Sequence, residues 1–333
     1  MKSLRVRIFD TTGCFLGDQK KYYNMPRDQL FKFFLPQQYQ YVVVSIDEPA
    51  DICLYSIQLS DKNLLRRTEL NILICVENCY QWYWYNHYNK YGNYGNEMTD
   101  VYVYNHIHKL ASGQYPLTVS NNCADSSSYV AIPMIHLRIN YFLDVVNQYR
   151  TMSSLNVPFS NKKFCLMTNK SNLNSDINKI VSQLSKIGTV DNINMYNNKI
   201  ENVTCYNGIE LLEVYGQYKF VMCIENSYGF GYITEKIFNA FLAGSVPIYS
   251  GSPIVGQFLN TDSFVNIFLE NENNNPEVEQ KILDEFCQKI QELNTDEKKY
   301  IEITKKNKIS NQYNNENYKD HFNTVFTKRF DST

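Results

Sequence analysis

Runs of β-branched and aromatic residues of strand length recur along this chain, and the stretches between them carry helical spacing or polar turns. "LRVRIF" (4–9), "YVVVSI" (41–46), "DICLYSI" (51–57) and "NILICV" (71–76) are four such runs in the first quarter of the sequence. "QLFKFFL" (29–35) and "DKNLLRRT" (61–68) fit helices between them. Buried strands that alternate with helices pair in parallel, because each crossover needs a helix to return the chain to the same edge of the sheet. The pattern predicts a doubly wound α/β fold.

The pattern is interrupted twice. Residues 80–100, "YQWYWYNHYNKYGNYGNEMTD", form a Tyr- and Trp-dense loop with Asn and Gly turn signals. Strands at 101–105 and 129–135 and a helix at 137–150 follow it. Residues 151–163, "TMSSLNVPFSNKK", then lose all periodicity. A second α/β series begins there: a strand at 163–168, a helix at 175–188 stopped by Gly188, a strand at 218–225, a helix from Thr234 to Gly244, and strands at 246–251 and 263–268. Helices follow Pro276, the last near 316–330. A chain of 333 residues exceeds one ordinary core, so the expected division is a domain over 1–150 and another over 151–333.

Composition narrows the function. The formal net charge is −2, which offers no general attraction to nucleic acid. The nine Cys are irregularly spaced and lie mostly in apolar runs, where a free thiol acts as a small hydrophobe. No second pair or His cluster completes a zinc site with Cys75 and Cys79, and the five His are scattered. The first residues, "MKSLRVRIFD", alternate like a strand and lack the apolar core of a signal peptide. No apolar run approaches the length of a membrane span. A cytoplasmic location is therefore expected. P-loop, G-x-G-x-x-G, G-x-S-x-G and D-x-D patterns are absent.

In open α/β sheets ligands sit outside the carboxyl ends of strands. The strand at 218–225 runs out into Glu225, Asn226 and Ser227, then a loop with Gly229 and Gly231, then a helix that Thr234 can cap. A helix N-terminus suits a phosphate, Lys236 adds a cation there, and Glu235 can accept hydrogen bonds from sugar hydroxyls. The plainer reading is that Thr234 and Glu235 serve the helix end and Lys236 is solvated. Glu77, after the strand at 71–76, is either a general base or a surface loop carboxylate. The aromatic loop 80–100 can stack against pyranose rings or form a protein contact patch.

"YKFVMCIENSYGFGYITEKIFNAFLAGSVPIYSGSP" (218–253) resembles the donor-binding signature of the α1,3/4-fucosyltransferases, glycosyltransferase family 10. "LICVEN" (73–78) and "KFCLMTN" (163–169) resemble further segments of that family. The resemblance implies a GT-B-type fold, with two Rossmann-like domains facing across a cleft. It implies inverting transfer of fucose from GDP-fucose to a hydroxyl of an oligosaccharide acceptor, without a metal or other cofactor. Position by position, Glu77 would be the base, Lys236 would neutralise the diphosphate, and Asn226, Tyr232, Thr234 and Glu235 would hold the donor. The expected partners are a nucleotide sugar and a glycan acceptor. Two departures stand out. The family's phosphate-binding Arg has no counterpart in residues 169–187, where Lys170, Lys179 and Lys186 are the nearest substitutes, and Ile224 stands where Phe is usual. These departures keep open another nucleotide deoxysugar as donor, or a catalytically silent glycan-binding protein on the same fold.

Overall fold

The computed structural model describes residues 1–9, 35–56, 70–74, 129–132, 134–169, 175–194, 208–225, 233–269, 275–314, 320, 323–324 and 326–331. The expected helix at 61–68, the strand at 101–105 and the aromatic loop 80–100 lie outside these residues, as does all but Leu35 of the helix expected at 29–35.

The chain divides into two compact units. The first comprises residues 1–141, 227–232 and 314–333, and the second residues 142–226 and 233–313. This division differs from 150/151 in three ways, one of them the assignment of residues 227–232 to the first unit. The helix near 140 is split between the units, and the segment after 314 belongs with the first.

In the first unit, β1 (Lys2–Phe9), β2 (Tyr39–Val43), β3 (Ile52–Ser56), β4 (Leu70–Ile74) and β5 (Tyr129–Ile132) form a sheet in the order β2-β1-β3-β4-β5. Every pairing is parallel, as the strand–helix alternation requires. Leu4, Val6, Ile52, Cys53, Leu54 and Leu70 are fully or almost fully buried. A π-helical turn, Thr327–Asp331, packs back on this sheet. The Tyr39 hydroxyl donates to Asp331 Oδ2 at 2.7 Å, and the Lys2 ammonium donates to the Phe330 carbonyl. The rings of Tyr39, Phe326 and Phe330 lie within 6.2 Å of one another. Aromatic contact and partly buried hydrogen bonds thus close the unit between segments remote in sequence.

Helix α1 (Met134–Arg150) leads into the second unit. There β6 (Lys163–Asn169), α2 (Ser175–Leu184), β7 (Val190–Asn194), α3 (Gly208–Gly216), β8 (Tyr218–Ile224), α4 (Glu235–Leu242), β9 (Val246–Ser250) and β10 (Val265–Asn266) build a parallel sheet in the order β10-β9-β8-β6-β7. Counted from its own first strand, this is the same order as in the first unit. Helices α5 (Pro276–Thr295) and α6 (Glu297–Lys305) complete it. β8 is central and its Phe220, Val221, Met222 and Cys223 are buried on both faces, which explains an apolar run without alternation. Phe220, Met222, Val246 and Ile248 form one core with Leu283, Phe286 and Ile290 of α5.

Two glycines bear out different physics. Gly244 has φ +68°, with nothing within 4 Å of an added Cβ. Gly244 N donates to Phe241 O at 3.2 Å and Ser245 N to Ala240 O at 3.1 Å, the paired bonds of a Schellman motif that ends α4. Gly188 was expected to stop α2, but that helix ends at Leu184. At Gly188 a Cβ would lie 2.5 Å from the Phe164 ring, so the residue makes room for an aromatic side chain. Cys53, Cys165 and Cys223 are buried, as their apolar surroundings predict. Among the described residues no helix is long and apolar enough to cross a membrane.

Candidate functional site

The strand order of the second sheet reverses between β6 and β8. Such a switch point opens a crevice at the carboxyl ends of the two strands. Glu225 is the first residue past β8. Its amide donates to Ser250 O at 2.8 Å, extending the pairing with β9 by one step. Its side chain is 0 % exposed, against 23 % for Lys236.

A buried carboxylate must find donors, and Glu225 finds three. Oε1 accepts the Thr234 amide at 2.7 Å, and Oε2 accepts the Thr234 hydroxyl at 2.8 Å and the Lys236 ammonium at 2.9 Å. The ammonium also donates to Thr234 Oγ1 at 3.1 Å. The result is a closed network across the ten residues that separate β8 from α4. Thr234 was expected to cap α4 with its side chain. It occupies the N-cap position, with φ −96° and ψ −172°, but makes no side-chain cap bond. Its hydroxyl donates to Glu225 and accepts from the Lys236 ammonium instead, a charged donor that outcompetes a neutral backbone amide. The helix end therefore presents its first-turn backbone without a Thr234 hydroxyl across it. That is the arrangement in which oriented N–H groups attract an anion.

Packing holds the carboxylate in place. A Cβ on Gly251 would lie 2.6 Å from Glu225 Cγ and 2.5 Å from the Tyr249 hydroxyl oxygen. Tyr249 is fully buried and its hydroxyl oxygen accepts the Ser252 amide at 3.0 Å. Only glycine permits this approach of β9's end to Glu225. Behind the network, the Cys223 thiol donates to Lys236 O at 3.3 Å. Burial pushes that thiol's pKa well up, the Glu225 charge adds to the rise, and Lys236 opposes it. It is a packed, protonated group at neutral pH.

Of the residues singled out from sequence, the structure thus brings Thr234 and Lys236 together, with Glu235 at the first position of α4. Glu77, Asn226 and Tyr232 lie outside the described residues. So does Lys170. The other two substitutes for the missing Arg are engaged elsewhere: Lys179 pairs with Glu279 at 2.8 Å, and Lys186 donates to Gln183 Oε1 at 2.8 Å. From sequence alone Glu225 is only a strand terminus. A signal was present, since a carboxylate directly after an apolar central strand needs a cation nearby, and Lys236 is the first one to follow it.

Comparison with known proteins places this site in a family. Residues 157–322 match the profile of the glycosyltransferase family 10 (fucosyltransferase) C-terminal domain. An α-(1,3)-fucosyltransferase, FucT, of Helicobacter pylori is 35 % identical over 111 residues, covering 33 % of this chain and 21 % of that protein. GDP-fucose protein O-fucosyltransferase 3 of Bos taurus is 33 % identical over 102 residues, covering 30 % of this chain and 20 % of that one. The matched stretches thus span about a fifth of the length of these relatives. A crystal structure of an α1,3-fucosyltransferase with GDP-fucose superimposes with a TM-score of 0.55 at 19 % identity, covering 98 % of this chain and 91 % of that one. Two parallel-sheet units of like strand order, on that backbone, make a GT-B-type α/β fold. Through residues 157–322, which include the whole Glu225–Thr234–Lys236 network, the chain belongs to glycosyltransferase family 10, the fucosyltransferases.

Proposed function

We propose that this chain is an inverting, metal-independent glycosyltransferase that moves fucose from GDP-fucose to a hydroxyl of an oligosaccharide. The observation that carries the reading is the Lys236 ammonium, fixed at the helix end by Glu225 and Thr234 beside the switch point of the second sheet. In this reading the second unit holds the nucleotide sugar and the first receives the acceptor. Cleavage of the bond between the fucose anomeric carbon and the diphosphate oxygen leaves GDP with an added negative charge. A preorganised cation lowers the barrier to that charge without a metal. Lys236 supplies it, supported by the N-terminal amides of α4. Glu235 and Asn226 bind ribose and neighbouring groups, and Tyr232 contacts the donor. Glu77 takes the acceptor proton while the acceptor oxygen forms the new bond from the opposite face, which inverts the anomeric centre.

The named relatives support the donor more than the acceptor, since one is called an α-(1,3)-fucosyltransferase and the other a protein O-fucosyltransferase. GDP release from GDP-fucose, with and without candidate glycans, tests the reading. Lys236→Ala should lower acceptor-dependent release by about 100-fold or more, the usual effect of removing one electrostatic stabiliser. Glu77→Gln should abolish transfer and leave GDP binding intact. Equal background release by wild type and Lys236→Ala with every acceptor would overturn the enzyme reading. Thermal stabilisation by UDP but not by GDP would overturn the guanine assignment.

A further inference from the structure

A cavity of about 610 Å³ opens in the second unit, away from the Glu225 network. Arg150, Lys162, Lys305 and Lys308 stand on its wall, Glu297 is the one carboxylate among the lining residues, and Phe142, Phe159, Phe241 and Tyr300 supply apolar and aromatic surface. The cavity also touches Leu242 and Gly244, the last turn of α4 and its C-terminal glycine. The Glu225 network holds the other end of that helix. Eight residues at about 1.5 Å each put roughly 12 Å between the two ends, so one phosphate group cannot serve both.

Each cation has a structural explanation. Arg150 and Lys305 lie in the last turns of α1 and α6. Lys308 donates to Ile303 O at 3.1 Å and Thr304 O at 2.9 Å, and its ammonium lies 5.1 Å from the Phe241 ring centroid. Lys162 donates to the Gly216 carbonyl at the end of α3. Helix C-termini attract cations of this kind, but each carries only about half a negative charge. Four cations against one carboxylate and four such helix ends leave the wall positive. None of the four makes an ion pair among the described residues. Burial pushes the pKa of Lys162 and of Lys308 down to about 8. Both are therefore charged at neutral pH at a cost in free energy, and a bound anion would relieve that cost. The volume falls in the range of small-molecule sites, and a few polar groups over an aromatic floor are what such sites show.

We propose that this cavity is a second anion site of the protein, taking a phosphate group borne on a small apolar or aromatic body, either a soluble organic phosphate or a lipid headgroup. The inference does not depend on the proposed fucosyl transfer. It is tested on the full chain at pH 7 by titration calorimetry with inorganic pyrophosphate and by co-sedimentation with phosphatidylcholine vesicles containing phosphatidic acid. A Lys236→Ala background weakens phosphate binding at the N-terminus of α4. The expected result is that Lys236→Ala protein binds at least one probe, and that adding Arg150→Glu and Lys305→Glu weakens this at least tenfold. Both residues are exposed, and thermal unfolding checks that the fold persists. Should charge reversal unfold the chain, Arg150→Gln with Lys305→Gln makes the same comparison with a smaller loss. Binding of pyrophosphate assigns a soluble ligand, and binding of vesicles alone assigns a headgroup. No binding of either probe by Lys236→Ala protein, or binding unchanged by both pairs of substitutions, overturns the proposal.

Discussion

Replacing Glu225 by Gln keeps the side chain's shape and removes its charge, which isolates what the carboxylate contributes. One amide oxygen can still accept the Thr234 N–H, and the Thr234 hydroxyl can turn to accept from the new amide. The contact without a substitute is the 2.9 Å ion pair with Lys236. Removing one partner of a fully buried pair costs about 3–5 kcal/mol. Lys236 keeps 23 % exposure and recovers part of its hydration, so about 2–3 kcal/mol is expected for Glu225→Gln. For a unit of this size that corresponds to a fall in Tm of about 4–12 °C. Urea denaturation at pH 7 measures the loss directly, provided the m-value is unchanged. The double variant Glu225→Gln/Lys236→Met sharpens the test, because a pair that acts together should make it more stable than the sum of the single effects by at least about 1 kcal/mol. Glu225→Gln within about 0.5 kcal/mol of wild type, or strictly additive losses, would refute the reasoning. Stability and activity should also separate. Glu225→Gln protein that is folded at assay temperature should still bind GDP more weakly, since its Lys236 is no longer held.

The two glycines give contrasting expectations. Gly251→Ala drives a methyl into Tyr249 and Glu225 at 2.5 and 2.6 Å and should cost about 1–3 kcal/mol, with weaker GDP binding in a thermal-shift assay. Gly244→Ala meets no atoms but forces alanine to φ +68°, so it should cost about 1 kcal/mol and leave GDP binding unchanged. The alkaline limb of stability gives another test. Burial raises the pKa of the Cys165 and Cys223 thiols above the ordinary value of 9.0. From about pH 9 the unfolded chain loses protons that the folded chain keeps, so stability falls as pH rises, by up to about 1.4 kcal/mol per pH unit for each thiol. Lys162 and Lys308, with pKa values near 8 in the folded chain, act in the opposite sense and cancel when variants are compared. Urea midpoints at pH 8, 9 and 10 under reducing conditions should therefore fall less steeply for Cys165→Ala/Cys223→Ala, and equal slopes would exclude the thiols as the cause.

What could be read from sequence follows from where each signal is stored. β8 and β9 are central and buried, so their apolar runs stand out; β1, β3, β4 and β6 follow the same rule. β7, "VDNIN", was not legible, because an edge strand need bury only one flank and tolerates Asp and Asn that a central strand would not. Helix α3, "GIELLEVYG", carries buried Leu211, Leu212 and Tyr215. It is nine residues long with glycine at both ends, and it reads as punctuation between strands rather than as an element. In the site, the helix-end residues Thr234, Glu235 and Lys236 were legible because they are consecutive. Glu225 acquires its role only when the chain returns nine residues later to bring Thr234 against it. No periodicity records that closure.

The contacts that tie the first unit together set an order of events during synthesis. Tyr39 bonds to Asp331 across 292 positions of chain. At about 5–20 residues per second a ribosome needs roughly 15–60 s to make the intervening stretch. The second unit, complete at residue 313, can gather its core within that interval. The first unit, though its strands emerge earliest, must wait for residues 326–331. A nascent chain would thus expose an unfinished N-terminal sheet longest. Chaperone binding during translation should concentrate there, and a stop codon placed after residue 313 should leave an intact second unit beside a first unit that is prone to aggregation.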